Sequence, residues 1–256
     1  MADRGAGAGR TGLPASIEAA WGLRERPAKG PKPGLSLDRI VGAAVAIAAE
    51  EGLPAVSMGR VAKALGVSTM SLYRYVAAKD ELYVLMQEAA LGPPPPAPRD
   101  ADWREALTAW ARAQREVLLS HLWALRIPVS GPPATPNMVA WWEQGLVALE
   151  TTGLDDGAKI SVILLVSGFV RSEATMMADL DTAVRAGGTP EEFMARHQNT
   201  LARLADPARY PSVARLLGSG VMTQPDEPGY EFAFGLERIL DGVAVLIEAR
   251  RAGGEG

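Results

Sequence analysis

The chain has 256 residues, 48% of them hydrophobic and 6% aromatic, which is ample for a folded core in one large domain or two small ones. It carries no cysteine, so disulfides and thiolate metal sites are excluded, and its net charge of −4 speaks mildly against a nucleic-acid partner. That total hides an uneven distribution: residues 1–90 hold 11 basic and 9 acidic side chains, leaving 15 basic and 21 acidic in 91–256.

Residues 1–34 are rich in Gly, Pro, Ala and Arg and end in KGPKPG, the composition of a flexible basic arm in which PASIEAAWGLRERP has the makings of one or two helical turns. The opening MADRGAGAGRTGLP lacks the continuous apolar stretch of a secretory signal. The longest nearly apolar run, ISVILLVSGFV at 160–170, is too short to span a bilayer. The expectation is a cytoplasmic chain with no membrane partner.

The first convincing helix is SLDRIVGAAVAIAAEEG, with Ser36 as its N-cap, Ile40, Ala44, Ile47 and Ala48 as an apolar stripe and Gly52 as its stop. From Ser57 the pattern SMGRVAKALGVSTMSLYRYV predicts a helix-turn-helix. Ser57 caps a helix that turns Val61, Ala62 and Leu65 inward; Gly66 permits the tight turn; Ser68 caps a second helix whose Leu72 and Val76 face the core. The outer face then carries Thr69, Met70, Ser71, Tyr73, Arg74 and Tyr75, and the four charged residues of 57–79, Arg60, Lys63, Arg74 and Lys79, are all basic.

Those residue types suit a DNA major groove. Hydroxyls of Ser68, Thr69 and Ser71 hydrogen-bond base edges or phosphates, Met70 fits a thymine methyl, Arg74 can grip guanine with two bonds, and Tyr73, Tyr75 and Lys79 reach phosphates. A packed helical hairpin with solvated hydroxyls is the plainer alternative for the same residues.

The proline run LGPPPPAPRD at 91–100 stops any helix and divides the chain into an arm (1–34), a helix-turn-helix domain (35–91) and a C-terminal domain (99–251). Beyond it helices are expected at 101–127, 136–152, 155–186, 190–205 and 228–251. No segment alternates with period two between hairpin turns, so the fold class is all-α, with no sheet.

The stretch LSLDRIVGAAVAIAAEEGLPAVSMGRVAKALGVSTMSLYRYVAAKDELYVLMQEAAL closely resembles the DNA-binding domain of the TetR family of bacterial transcriptional regulators, and FGLERILDGVAVLIEAR at 234–250 is similar to the final helix of its tetracycline-repressor subgroup. The resemblance implies a homodimer that binds a palindromic double-stranded DNA operator and releases it when a small-molecule effector enters the C-terminal domain. It also places Ser57 and Lys79 on phosphates. Gly59 stands where the tetracycline repressor has a base-reading Arg, and Met70 replaces a Pro, so a different operator is implied. The basic residues of the arm are candidates for added DNA contacts.

In YEFAFGLERILDGVAVLIEAR, Leu236, Leu240, Val243 and Ile247 form one stripe and Gly235, Ile239, Gly242 and Leu246 another, so the helix has two neighbours to satisfy. Ile160, Ile163, Leu164, Gly168 and Val170 offer a comparable surface, and together these helices suit a four-helix dimer bundle; a buried core helix of a monomer fits the same pattern. Large side chains recur along the C-terminal helices: Trp110, Trp123, Met138, Trp141, Trp142, Phe169, Met176, Met177 and Phe193, with His121 among them. They form a pool from which a pocket for an apolar or aromatic ligand is built, although most such residues are plain core.

Catalysis finds no footing. His121 and His197 each lie five residues after a glutamate, not at the spacing of helical metal sites, and Gly-x-Ser-x-Gly and phosphate-loop motifs are absent. No cofactor and no metal are expected. The rival reading is an all-α ligand-binding or scaffold protein without operator affinity.

Overall fold

The computed structural model describes residues 13–23, 35–128, 131, 134–223 and 227–253, and among them regular structure is helical throughout. A short helix α1 (Ala15–Ala20) precedes α2 (Leu37–Glu51), α3 (Met58–Leu65) and α4 (Thr69–Tyr73), the three helices of the expected helix-turn-helix domain, hereafter the reader. The linker α5 (Lys79–Leu91) follows, then α6 (Trp103–Ser120), α7 (Pro136–Ala148), the long α8 (Asp156–Gly187), α9 (Pro190–Leu204), α10 (Pro211–Gly218) and α11 (Tyr230–Gly253).

Local chemistry sets most of these ends. Ser36, Ser57 and Ser68 each accept the backbone N–H three residues on, at 3.2, 3.2 and 3.3 Å, which satisfies one orphan donor per helix. Gly66 adopts φ +68° between α3 and α4, and Val67 N–H returns to the Ala62 carbonyl at 3.0 Å; a side chain at that φ would be strained. Asp102 and Glu105 form a capping box on α6, as Thr189 and Glu192 do on α9.

Two main apolar cores and a small third cluster of Leu125, Ala174 and Ala178 result. The first gathers α2 to α5 around Ile40, Val61, Leu72, Leu82 and Met86. Trp123, Ala124 and Ile127 belong to it as well, although they lie beyond the proline run. The second core joins α6, α7, α8 and α11 through Leu107, Trp110, Trp141, Val166, Leu236 and Leu240.

The reading of one helix over 101–127 is corrected by this arrangement. The helix ends at Ser120, His121 leaves helical geometry (φ −133°, ψ 59°), and a 3-10 turn over Leu122–Arg126 swings Trp123 into the first core. Between the helices expected at 190–205 and 228–251 lies one that was not expected, α10, a two-turn helix started by Pro211.

Over Asp156–Val184 α8 is long and apolar enough, by length and composition, to cross a membrane, which the run 160–170 alone does not reveal. Its charged residues have partners within the protein: Glu173 pairs with Arg115, and Arg171 donates to the carbonyls of Leu125 and Ile127. Val162, Ile163, Val166 and Val170 are buried. Ile160, Leu164 (66% exposed), Leu165, Met176 and Leu180 are exposed in the single chain.

Candidate nucleic-acid interface and effector helices

Buried Leu72 and Val76 orient α4, leaving Met70 74% exposed and Tyr73 45% exposed. Arg74 is exposed at the end of α4, and Thr69 and Ser71 are half-buried beside it. The Ser68 and Ser71 hydroxyls lie 2.9 Å apart, so one of them already serves the other. Tyr75 has a structural duty: its hydroxyl donates to the Leu35 carbonyl at 3.1 Å, pinning the entrance to α2 beside the reader.

Ser57 is exposed and its Oγ accepts from Arg60 N–H, leaving its own proton available. Arg60 itself pairs with Glu51, so the exposed positive field around the reader comes mainly from Lys63, Arg74 and Lys79. Lys79 stands in the first turn of α5, its ammonium 5.2 Å from the Tyr83 ring centroid. A cation at a helix N-terminus opposes the helix dipole, and Asp80 and Glu81 in the same turn offset it.

The pool of large C-terminal side chains divides into distinct surroundings. Trp110 and Trp141 are buried in series: Trp110 Nε1–H donates to the Trp141 carbonyl at 2.8 Å, and Trp141 Nε1–H to the Gly92 carbonyl at 3.0 Å. Trp142 and Phe169 pack on the same core, Phe169 stacking on Phe232 with ring centroids 5.8 Å apart. Trp123 lies in the reader's core, with His121 edge-on at 6.0 Å. Met138 and Phe193 are half-buried on α7 and α9, while Met176 and Met177 point out from α8.

Arg115 sits among the helices of the second core. Its guanidinium forms two bonds with Glu173 at 2.7 and 2.8 Å and covers the Phe232 ring at 4.8 Å. The hydrogen bond to Glu173 holds Arg115 above its ordinary pKa, against the effect of burial. Burial alone lowers Arg171, whose charge is met by carbonyl dipoles.

On the outside of this domain two grooves follow α8. One, of 810 Å³, runs along Gly168, Arg171, Thr175 and Met176. The other, of 570 Å³, lies between α8 and α11 at Val162, Leu165, Ile239, Gly242 and Leu246. Of the two glycines in the second stripe of α11, Gly242 is open, with nothing within 4 Å of an added Cβ among the described residues. Gly235 is occupied from within the chain: a Cβ there would meet the Phe169 ring at 2.5 Å. Ile163 and Val170 likewise face the core rather than outward.

A basic reader helix on a capped, glycine-turned three-helix unit, carried by a larger helical domain, defines a helix-turn-helix regulator. Residues 40–86 match the model of the bacterial regulatory proteins of the tetR family, and residues 95–247 that of the tetracyclin repressor-like C-terminal domain. The chain belongs to the TetR family of DNA-binding transcriptional regulators. It is 39% identical over 239 residues to the HTH-type transcriptional repressor DrrR1 of Streptomyces coeruleorubidus, covering 92% of this chain and 87% of that one. An HTH-type transcriptional regulator of Saccharopolyspora erythraea is 30% identical over 205 residues, 77% of this chain and 80% of the other. Among solved structures, apo ActR of Streptomyces coelicolor superposes with a TM-score of 0.71 at 28% identity, over 86% of this chain and 99% of ActR. ActR in complex with actinorhodin superposes at 0.70 with 30% identity, over 85% and 99%.

Proposed function

We propose that this regulator is a homodimeric repressor that grips a palindromic operator with two copies of α4 and releases it when an apolar, multi-ring or long-chain molecule enters the C-terminal helices. In this reading Ser57, Tyr73 and Lys79 serve phosphates, Thr69, Met70, Ser71 and Arg74 face the bases, and Ser68 and Tyr75 brace the reader. The exposed apolar faces of α8 and α11, including Leu164, Leu165 and Leu246, support a dimer interface between those helices, since contiguous apolar surface of that kind marks an interaction site.

The observation that carries the reading is the 3-10 turn Leu122–Arg126. Its Trp123 and neighbouring Ile127 are part of the reader's core, while Arg171 of α8 holds the Leu125 and Ile127 carbonyls at 2.8 and 2.9 Å. A rearrangement at α8 therefore reaches the reader through packed side chains. ActR is described in complexes with actinorhodin and (S)-DNPA, which supports small-molecule control in a related chain. A ligand shifts the equilibrium only by its differential affinity for the two states, about 5 kcal/mol for a full swing. That favours an effector burying much apolar surface. The test is to find compounds that raise the thermal midpoint and ask whether they dissociate the protein from DNA flanking its own gene; stabilising compounds that leave DNA affinity unchanged contradict the coupling.

A further inference from the structure

Helix α1 is too short to hold by its own sequence. Its six residues, led by Pro14 and capped by no side chain, fall well below the length at which a helix holds in water alone. Contact holds it instead. It lies along α5, with Ala15, Ser16 and Glu18 buried to 5% exposure or less and Ala19 and Ala20 packed on the reader's core.

Just after α1, Trp21 crosses to the other half of the molecule. Its indole Nε1–H donates to the Ala134 carbonyl at 2.8 Å, across 113 positions of sequence, at the segment that leads through Thr135 into α7. Trp21 is 46% exposed, so its polar edge, rather than deep burial, fixes the ring. Three positions past Ala134, Asn137 is tied to Glu88 of α5. The entrance of α7 is thus fastened to α5 twice, once directly and once through α1.

We infer that α1 and Trp21 form a strap that positions the linker helix α5 against the entrance of α7, making Trp21 a positioning residue for operator recognition. The DNA-recognition part of this inference rests on the dimeric reading above. A swing of α5 away from α7 must either break the Trp21–Ala134 bond or peel α1 from its seat, so the strap biases the molecule toward one placement of the reader. Random DNA is bound through phosphate charge and is indifferent to that placement, whereas a palindrome demands a fixed separation of two readers.

The test compares the full chain with Trp21→Phe, which keeps a ring and loses the donor, Trp21→His, which restores a ring N–H, and Ala15→Arg, which forces α1 off α5. We expect Trp21→Phe to raise amide exchange in residues 82–91 and 136–141 by about fivefold, as loss of one hydrogen bond allows, with α8 and α11 unchanged. Binding to DNA flanking the gene should weaken by about the same factor while random-DNA binding stays constant, and Trp21→His should recover part of both. Wild-type exchange in both Trp21→Phe and Ala15→Arg overturns the strap. Faster exchange with unchanged specific binding makes α1 packing alone and overturns its positioning role. If the wild type retards no DNA, the operator reading fails, and the exchange measurement still decides whether the strap exists.

Discussion

Glu88 of α5 caps a helix that is not its own. Its carboxylate accepts the Asn137 backbone N–H at 2.9 and 3.2 Å, and its carbonyl accepts the Asn137 side-chain amide at 3.0 Å. The local N-cap of α7, Thr135, makes no capping bond, and its buried hydroxyl has no partner among the described residues. The linker helix thus supplies the negative group that the positive end of α7 requires.

Glu88→Ala should therefore lower stability by about 1–2 kcal/mol, the usual worth of a cap. Glu88→Gln, which retains an acceptor oxygen, should recover most of it. Urea unfolding of the two variants checks this, and equal midpoints for Glu88→Ala and wild type would remove the cap from the account.

Lys79→Ala and Tyr73→Ala should weaken binding to flanking and random DNA alike, since each is assigned to a phosphate. Loss of Lys79 should also reduce the slope of log affinity against log salt by about one. A changed preference between DNA sequences with unchanged random binding would assign these side chains to bases instead.

The reader was legible in the sequence because its signals are local: Ser36, Ser57 and Ser68 cap where a serine precedes an apolar repeat, and Gly66 turns with positive φ. The C-terminal half was legible only in outline. Nothing near His121 announces that Trp123 will prefer the reader's core, because that choice is made by α2 and the turn Leu53–Ala55 that follows it. The Glu88 cap and the Trp21 bond join residues 49 and 113 positions apart, which no periodicity reports. Size and apolarity likewise do not separate buried Trp110 from outward Met176, since both stand at helical spacing and the partners decide.

Glu173 is 5% exposed and its partner Arg115 lies over Phe232. Glu173→Gln leaves that part-buried guanidinium without its counter-charge among α6, α8 and α11, and should cost about 1–3 kcal/mol. Chemical denaturation at neutral pH measures it; a loss within error of zero would mean that Arg115 finds water instead.

Gly145 marks the close approach of α7 to the second core, where an added Cβ would meet Ile163 at 2.7 Å and Trp110 at 2.8 Å. Gly145→Ala should destabilise by about 1–3 kcal/mol through overpacking. At Gly242 an added Cβ meets nothing within 4 Å among the described residues, so Gly242→Glu should leave the monomer folded and abolish the proposed dimer. Sedimentation showing an intact dimer for Gly242→Glu would place the interface elsewhere.

Recognition of an operator by α4 is tested most directly by titrating wild type and Arg74→Ala against DNA flanking the gene and against random DNA of equal length, at low salt, with the mass of each complex determined by sedimentation. We expect two chains on each palindromic site and a preference for it that falls about tenfold in Arg74→Ala, the loss of one two-bond contact to guanine. Equal retardation of flanking and random DNA by the wild type, or retardation of neither, would contradict it.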